Sequence, residues 1–192
     1  KTVIAAIGGS VTEGAGPADV KDGYAYQFFR EKKKTYAPDG GKNVYFNNAG
    51  LSGTPSLLGC VRYQSDVVKP MGQTPDILII EFAVNDGGEV VFQRSFEALV
   101  RDALAENPKT AVIALYAAAN YGNTSSQKKP ISDYYKIPQI NMLEIVKSSI
   151  STGKFSKSDY YTDSVHPTKK GHTMMKDCLM NLVKKVDNAN QD

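Results

Sequence analysis

The chain has 192 residues, 41% of them hydrophobic, a net charge of +3, two cysteines and two histidines. That length suits a single α/β domain over residues 1–192 with a sizeable core, while no apolar run reaches the roughly 18 residues of a membrane span and the distant cysteines make no structural zinc site. Basic residues are scattered apart from Lys32-Lys33-Lys34 and Lys184-Lys185 near predicted helix ends, where cations offset the macrodipole, so no nucleic-acid partner is expected.

Residues 3–7, Val-Ile-Ala-Ala-Ile, read as a parallel strand covered on both faces. The run stops at Gly8-Gly9 and hands over to Ser10, on the carboxyl edge where open α/β sheets carry their sites. Ser10 either caps the helix that follows or presents its hydroxyl beside free backbone N–H groups, for which the two glycines leave room. Residues 24–36 carry one buried helical stripe of Tyr24, Phe28 and Phe29. Residues 44–46 are a short strand running into Asn47-Asn48-Ala49-Gly50-Leu51-Ser52-Gly53, and residues 55–68 are helical. Residues 76–84 are the most apolar strand, ending at Asn85-Asp86-Gly87-Gly88. Residues 90–106 form a helix closed by Asn107-Pro108, and residues 110–116 a fourth strand.

Residues 117–137, rich in Asn, Ser, Lys and Tyr, read as a long irregular stretch forming part of a substrate wall, because loops of that length in compact domains tend to be functional. A helix at 140–150, a loop with at most a short strand at 152–165 and a helix at 169–186 opened by Pro167 complete the chain. Alternating strands and helices predict a three-layer α/β/α sandwich on a mostly parallel sheet of about five strands. Its carboxyl edge then gathers Ser10, Gly50, Asn85 and the loop before the last helix. Cys60 and Cys178 fall in helical patterns, where a buried free thiol is the commoner fate, with a bridge between them left open.

That last loop reads Tyr160-Tyr161-Thr162-Asp163-Ser164-Val165-His166-Pro167. A carboxylate three residues before a histidine can accept the Nδ1 proton and leave the other nitrogen free as a base. The second histidine, His172, lies inside the predicted helix, so His166 is the candidate base and Asp163 its orienter. Asn85 is on its residue type as well suited to a turn before Asp86-Gly87-Gly88 as to chemistry.

These stretches together resemble the SGNH hydrolases of the GDSL-type esterase superfamily. Gly8-Gly9-Ser10-Val11-Thr12 resembles the nucleophile block, Asn48-Ala49-Gly50-Leu51-Ser52-Gly53 the glycine block, Ala83-Val84-Asn85-Asp86 the asparagine block and Asp163-Ser164-Val165-His166-Pro167 the Asp-x-x-His block. The resemblance implies the flavodoxin-like SGNH fold, Ser10 as nucleophile and His166 with Asp163 completing a triad. It implies an oxyanion hole built from the Ser10 and Gly50 N–H groups and the Asn85 side chain, and no metal or cofactor. Two departures mark a subgroup: Gly9 stands where the family has aspartate, and Ala83 where it has glycine.

The expected activity is ester hydrolysis through an acyl-enzyme on short acyl, chiefly acetyl, esters of carbohydrates. Lysophospholipase, thioesterase or acyltransferase activity on the same fold is the alternative, and a catalytically silent carbohydrate-binding module the alternative of another class. A nucleotide- or phosphate-binding α/β protein is a third reading that the motifs disfavour, since Gly14-Ala15-Gly16 has no third glycine at the required spacing and no Gly-Lys-Ser/Thr occurs. Tyr121, Tyr134, Tyr135, Tyr160 and Tyr161, placed in or beside rim loops, are the candidate sugar contacts. The chain enters its first strand directly after Lys1, so any leader or upstream domain lies outside this sequence, as in a secreted enzyme or a piece of a larger one.

Overall fold

The apolar run that opens the chain forms β1 (Thr2–Gly8), whose Val3, Ile4, Ala5, Ala6 and Ile7 are all at most 1% exposed. A strand buried this way needs neighbours on both edges and helices on both faces. It has them in the computed structural model, which describes residues 1–36 and 38–189. β2 (Val44–Gly50), β3 (Ile77–Glu81), β4 (Ala111–Tyr116) and β5 (Gln139–Asn141) complete a sheet of order β2-β1-β3-β4-β5, every pair parallel.

Alternate residues of the strands feed two cores. Ile4, Ala6, Ile79, Ile113 and Leu115 meet Tyr24 and Phe28 of α2 (Tyr24–Tyr36), Met142 and Val146 of α6 (Met142–Ser151), and Met175 and Leu179 of α8 (Lys169–Ala189). Ala5, Ile7, Leu78, Ile80, Val112 and Ala114 meet Phe96, Leu99, Val100 and Ala103 of α4 (Val90–Glu106), together with Tyr63 and Val67. The latter two lie on a wider, π-type turn (Tyr63–Val68) that continues α3 (Ser56–Arg62). The result is the three-layer sandwich, with the sheet entirely parallel. The register pairs Gly8 with both Gly50 and Glu81, so β1, β2 and β3 end level with one another.

Five elements differ from the sequence reading. The third strand stops at Glu81, short of residue 84, because Asn85 N and Asp86 N turn back onto Phe82 O. β2 runs on through Asn47 and Asn48 to Gly50, because an edge strand can turn asparagines outward: Asn47 Nδ2 donates to Asp66 O at 2.6 Å. Within residues 117–137 lies α5 (Ser125–Tyr134), hidden because its buried positions are Lys128 and Ser132 rather than aliphatic residues and because Pro130 interrupts it. The fifth strand is Gln139–Asn141, three residues and too short to show a period; Asn141 then caps α6 through its side chain. In the loop 152–165 a single turn, α7 (Lys157–Tyr160), is closed by a Ser156/Asp159 capping box. Cys60 and Cys178 are both free, and packing against cores on opposite faces of the sheet keeps them apart.

His172 ties the last helix to the first half of the chain. Its Nδ1 accepts from Tyr24 N at 3.1 Å and its Nε2 lies 3.0 Å from Ala15 O. An amide can only donate and a carbonyl only accept, so the ring is neutral with the proton on Nε2. Burial lowers its pKa to about 4. Between about pH 6.5 and 4 the unfolded chain therefore binds a proton that the folded one refuses, and stability falls on acidification by on the order of 3 kcal/mol. His172→Gln should be less stable at neutral pH but show a flatter melting temperature over that window; equal slopes in thermal melts of the two proteins would remove His172 as the source.

Candidate active site

Ser10 opens a single helical turn, α1 (Ser10–Glu13), which Gly14 closes in the left-handed region at φ 112°. N–H groups in a helix's first turn have no partner within the helix and attract negative charge. Ser10 is 8% exposed, and its Oγ lies 2.9 Å from His166 Nε2. His166 Nδ1 is 2.7 Å from Asp163 Oδ2. The other carboxylate oxygen, Oδ1, accepts from Val165 N at 2.7 Å and His166 N at 2.8 Å. Hydrogen bonds from the His166 amide and ring, and then from Val165 N, hold the Asp163 carboxyl down at about 2. The carboxylate is thus an acceptor only; Nδ1 carries the ring proton and Nε2 receives the Ser10 hydroxyl.

Three glycines let the strand ends converge. A Cβ on Gly50 would lie 2.1 Å from Glu13 N, so β2 and α1 touch backbone to backbone. On Gly8 it would meet Thr12 Oγ1 at 2.1 Å and Glu81 O at 2.5 Å. On Gly9 it would strike Asn85 Oδ1 at 2.2 Å, so the amide of Asn85 lies against the residue preceding Ser10. The Gly50 N–H donates to Asn48 Oδ1 at 2.9 Å, and Asn48 Nδ2 to Thr12 O at 2.9 Å. Ser10, Gly50, Asn85, Asp163 and His166 thus share one edge of the sheet.

Asn85 sits in a turn whose backbone is anchored by Asn85 N and Asp86 N on Phe82 O. Asp86 holds that turn to the helices: Oδ1 accepts from Ser56 N at 2.7 Å, and Oδ2 pairs with Lys128 Nζ at 2.8 Å, both side chains being fully buried. Lys128 also donates to Thr124 Oγ1 at 3.0 Å. Below α1 lies another buried carboxyl, Glu81, which accepts from Thr12 Oγ1 at 3.0 Å, while Thr12 Oγ1 is 2.9 Å from Tyr24 OH. Sequence reasoning missed these supports. Glu81 was visible as an acid at the end of an apolar strand; Lys128 sat in a stretch whose helix was not foreseen.

The candidate tyrosines separate. Tyr121, 69% exposed, lines a cavity of about 220 Å³ with Ala83, Val84, Asp86 and Thr124, beside Asn85. Asn120 N donates to Ser164 O, which joins that loop to the His166 loop. Tyr161 is half-buried, with its backbone bridged to Pro167. Tyr160 is fully buried in the core beneath it and is no substrate contact. Tyr134 and Tyr135 are corrections too. Tyr135 OH donates to Glu97 of α4 at 2.8 Å and the Tyr134 ring packs edge-on against Tyr135, so both stand on a surface between α4 and α5 with Arg101, Pro130 and Ile131, a place that includes neither Ser10 nor His166.

Residues 6–174 match the GDSL-like Lipase/Acylhydrolase family. The chain belongs to that family. No curated protein matches it. Among solved structures it is similar to a two-domain esterase (CEX) active on acetylated mannans, at 28% identity and a TM-score of 0.87, over 96% of this chain and 49% of that one. The same description co-crystallized with mannopentaose gives 28% and 0.88, over 97% and 50%. An acetyl xylan esterase, AlAXEase, matches at 17% and 0.76, over 94% and 99%, a likeness of fold alone. The chain spans about half the length of the mannan esterase. Gly9, which departs from the pattern the resemblance implies, is where the Asn85 amide closes on the backbone, and a side chain here would require Asn85 to move.

Burial pushes the Glu81 carboxyl up to about 7, against its ordinary 4.5, with the neighbouring Asp86 adding to the rise and the Thr12 hydrogen bond opposing it. Folded Glu81 keeps its proton where the unfolded chain has lost it. Its contribution to stability is complete below about pH 4.5 and disappears as pH rises through about 7. Glu81→Gln does not titrate, so its melting temperature relative to the unmodified protein should climb from pH 5 to pH 8; a constant difference would mean that Glu81 is already ionised at pH 5.

Proposed function

We propose that this protein is a serine esterase that removes short acyl groups, chiefly acetyl, from carbohydrates. The observation that carries the reading is the hydrogen-bonded line from Ser10 Oγ through His166 to Asp163, at 2.9 and 2.7 Å, on the edge of the sheet where the strands end. In this reading the Ser10 oxygen attacks the ester carbonyl as His166 Nε2 takes its proton. The tetrahedral oxyanion is held by the Ser10 and Gly50 N–H groups and the Asn85 amide. Collapse expels the alcohol, which leaves with the proton from Nε2. Water then repeats the sequence on the acyl-enzyme and frees the acid.

Ester hydrolysis is supported by membership of the GDSL-like family, and acetylated sugar as its substrate by the likeness to an esterase described as active on acetylated mannans. One feature of the rim agrees: Tyr121 offers an exposed ring with a polar tip, which suits the face of a sugar.

The deciding assay compares p-nitrophenyl acetate hydrolysis by the protein and by Ser10→Ala. Hydrolysis should vanish in Ser10→Ala and in His166→Ala without loss of fold, and Asn85→Ala should lower kcat by about a hundred- to a thousand-fold. A rate indifferent to Ser10 ends the esterase reading. For the substrate, Tyr121→Ala should raise KM for an acetylated manno- or xylo-oligosaccharide several-fold more than KM for p-nitrophenyl acetate, and a chain-length series preferring octanoyl over acetyl esters would overturn the carbohydrate assignment.

A further inference from the structure

Arg62 is the last residue of α3, at the seam where the helix widens into its π-type turn, and it is 7% exposed. Its guanidinium points into the sheet end. Nη1 donates to Ala49 O at 2.5 Å and Nη2 to Gly8 O at 2.9 Å; Asp66 Oδ2, on the half-exposed side, is 3.3 Å from Nη1. Gly8 O also accepts from Leu51 N at 3.0 Å. A peptide unit is planar, so fixing a carbonyl fixes the N–H that follows it. Ala49 O belongs to the unit that carries the Gly50 N–H, and Gly8 O to the unit that leads into Gly9 and Ser10. One rigid fork therefore spans the ends of β1 and β2 and sets the direction of both units.

This arrangement is expensive for packing alone. Arg62 Nε is buried without a partner, and the cation faces two neutral carbonyls with a single partly exposed carboxylate for compensation. An apolar side chain would fill the same space with no charge to desolvate. What only a two-pronged donor supplies is simultaneous control of two carbonyls on adjacent strands.

We propose that Arg62 is a positioning residue for the oxyanion hole, acting through the Ala49–Gly50 and Gly8–Gly9 peptide units; the assignment rests on the esterase reading. Arg62 touches no reacting atom. It fixes the plane of the Gly50 N–H directly and, through Gly8 O, the peptide unit adjoining the one that carries the Ser10 N–H.

The test uses Arg62→Met and Arg62→Lys, with folding checked by circular dichroism and reactive sites counted by fluorophosphonate labelling of Ser10 taken to completion. Each is assayed with p-nitrophenyl acetate and with trifluoroacetone, whose carbonyl adds the Ser10 oxygen reversibly to give a hemiketal oxyanion. Per labelled site, Arg62→Met should lose about ten- to a hundred-fold in kcat with KM nearly unchanged. The ketone's Ki should rise by the same factor as kcat/KM falls, and Arg62→Lys should recover part of both. Fewer labelled sites with unchanged kcat per site and unchanged Ki would make Arg62 a merely structural residue and overturn the proposal. If Arg62→Met does not fold, Arg62→Lys decides on the same two quantities. Ser10→Ala separates the two readings: hydrolysis that persists in it defeats the esterase assignment and this one with it, whereas Ser10-dependent hydrolysis unaffected at Arg62 defeats this one alone.

Discussion

Backbones meet at the end of β1 at separations that leave no room for a Cβ, and the geometry of the site depends on that approach. Added at Gly8, Gly9 or Gly50, the first side-chain carbon would fall between 2.1 and 2.2 Å from atoms of Thr12, Asn85 or Glu13. Such distances cannot be absorbed by rotamer changes where the neighbour is backbone, as Glu13 N is. Gly50 can thus bring β2 against α1, and Gly9 can accept the Asn85 amide beside Ser10. A side chain at the ninth position would require the Asn85 amide to shift, and the turn that carries this amide is held down by Asp86 through Ser56 and Lys128.

That closeness is sustained by buried ionisable groups, and their burden is visible in how they titrate. Glu81 is driven up by burial and His172 down, so one contribution to stability fades as pH rises and the other as pH falls. Over about pH 4.5 to 6.5 the two slopes oppose each other. The Lys128–Asp86 pair adds a different constraint. A fully buried ion pair brings little net stability, but losing one partner leaves an uncompensated charge in the interior. Together these groups favour one arrangement of the strand ends over looser alternatives, which is the property that a preorganised site needs.

The sheet was legible because its strands are continuously apolar and their ends are punctuated by glycine or asparagine: β1, β3 and β4 follow from that pattern, and the long helices read at 24–36, 90–106 and 169–186 from periodicity, the last of them running on to Ala189. What was not legible was held together by polar groups. α5 buries Lys128 and Ser132, the latter 2.7 Å from Tyr116 OH, so its pattern is that of a loop. β5 and α7 are too short to carry a period. The Asp163–His166 spacing placed both residues correctly on one loop because three residues suffice to close it. Tyrosine positions could not be sorted the same way, since a tyrosine packs in a core or stands on a rim equally well. Only the path of the chain sends Tyr160 inward and sets Tyr134 and Tyr135 against Glu97 and Arg101 on the α4–α5 surface.

The Gly50 N–H is the least simple part of the site, because it already has a partner in Asn48 Oδ1. On the esterase reading this bond is an asset rather than an obstruction. An amide oxygen is a neutral acceptor, comparable to the carbonyl of an intact ester, so the ground-state substrate has little advantage in displacing it. An oxyanion is a charged acceptor, and hydrogen bonds to charged groups are roughly twice as strong. The exchange of Asn48 for substrate oxygen is then favoured only as negative charge develops. An interaction that strengthens in the transition state and not before it lowers the barrier to chemistry rather than merely tightening binding. For this to hold, the N–H must keep its direction while its acceptor changes, and the Ala49 carbonyl on the other edge of the same peptide unit, gripped by Arg62, is what keeps it.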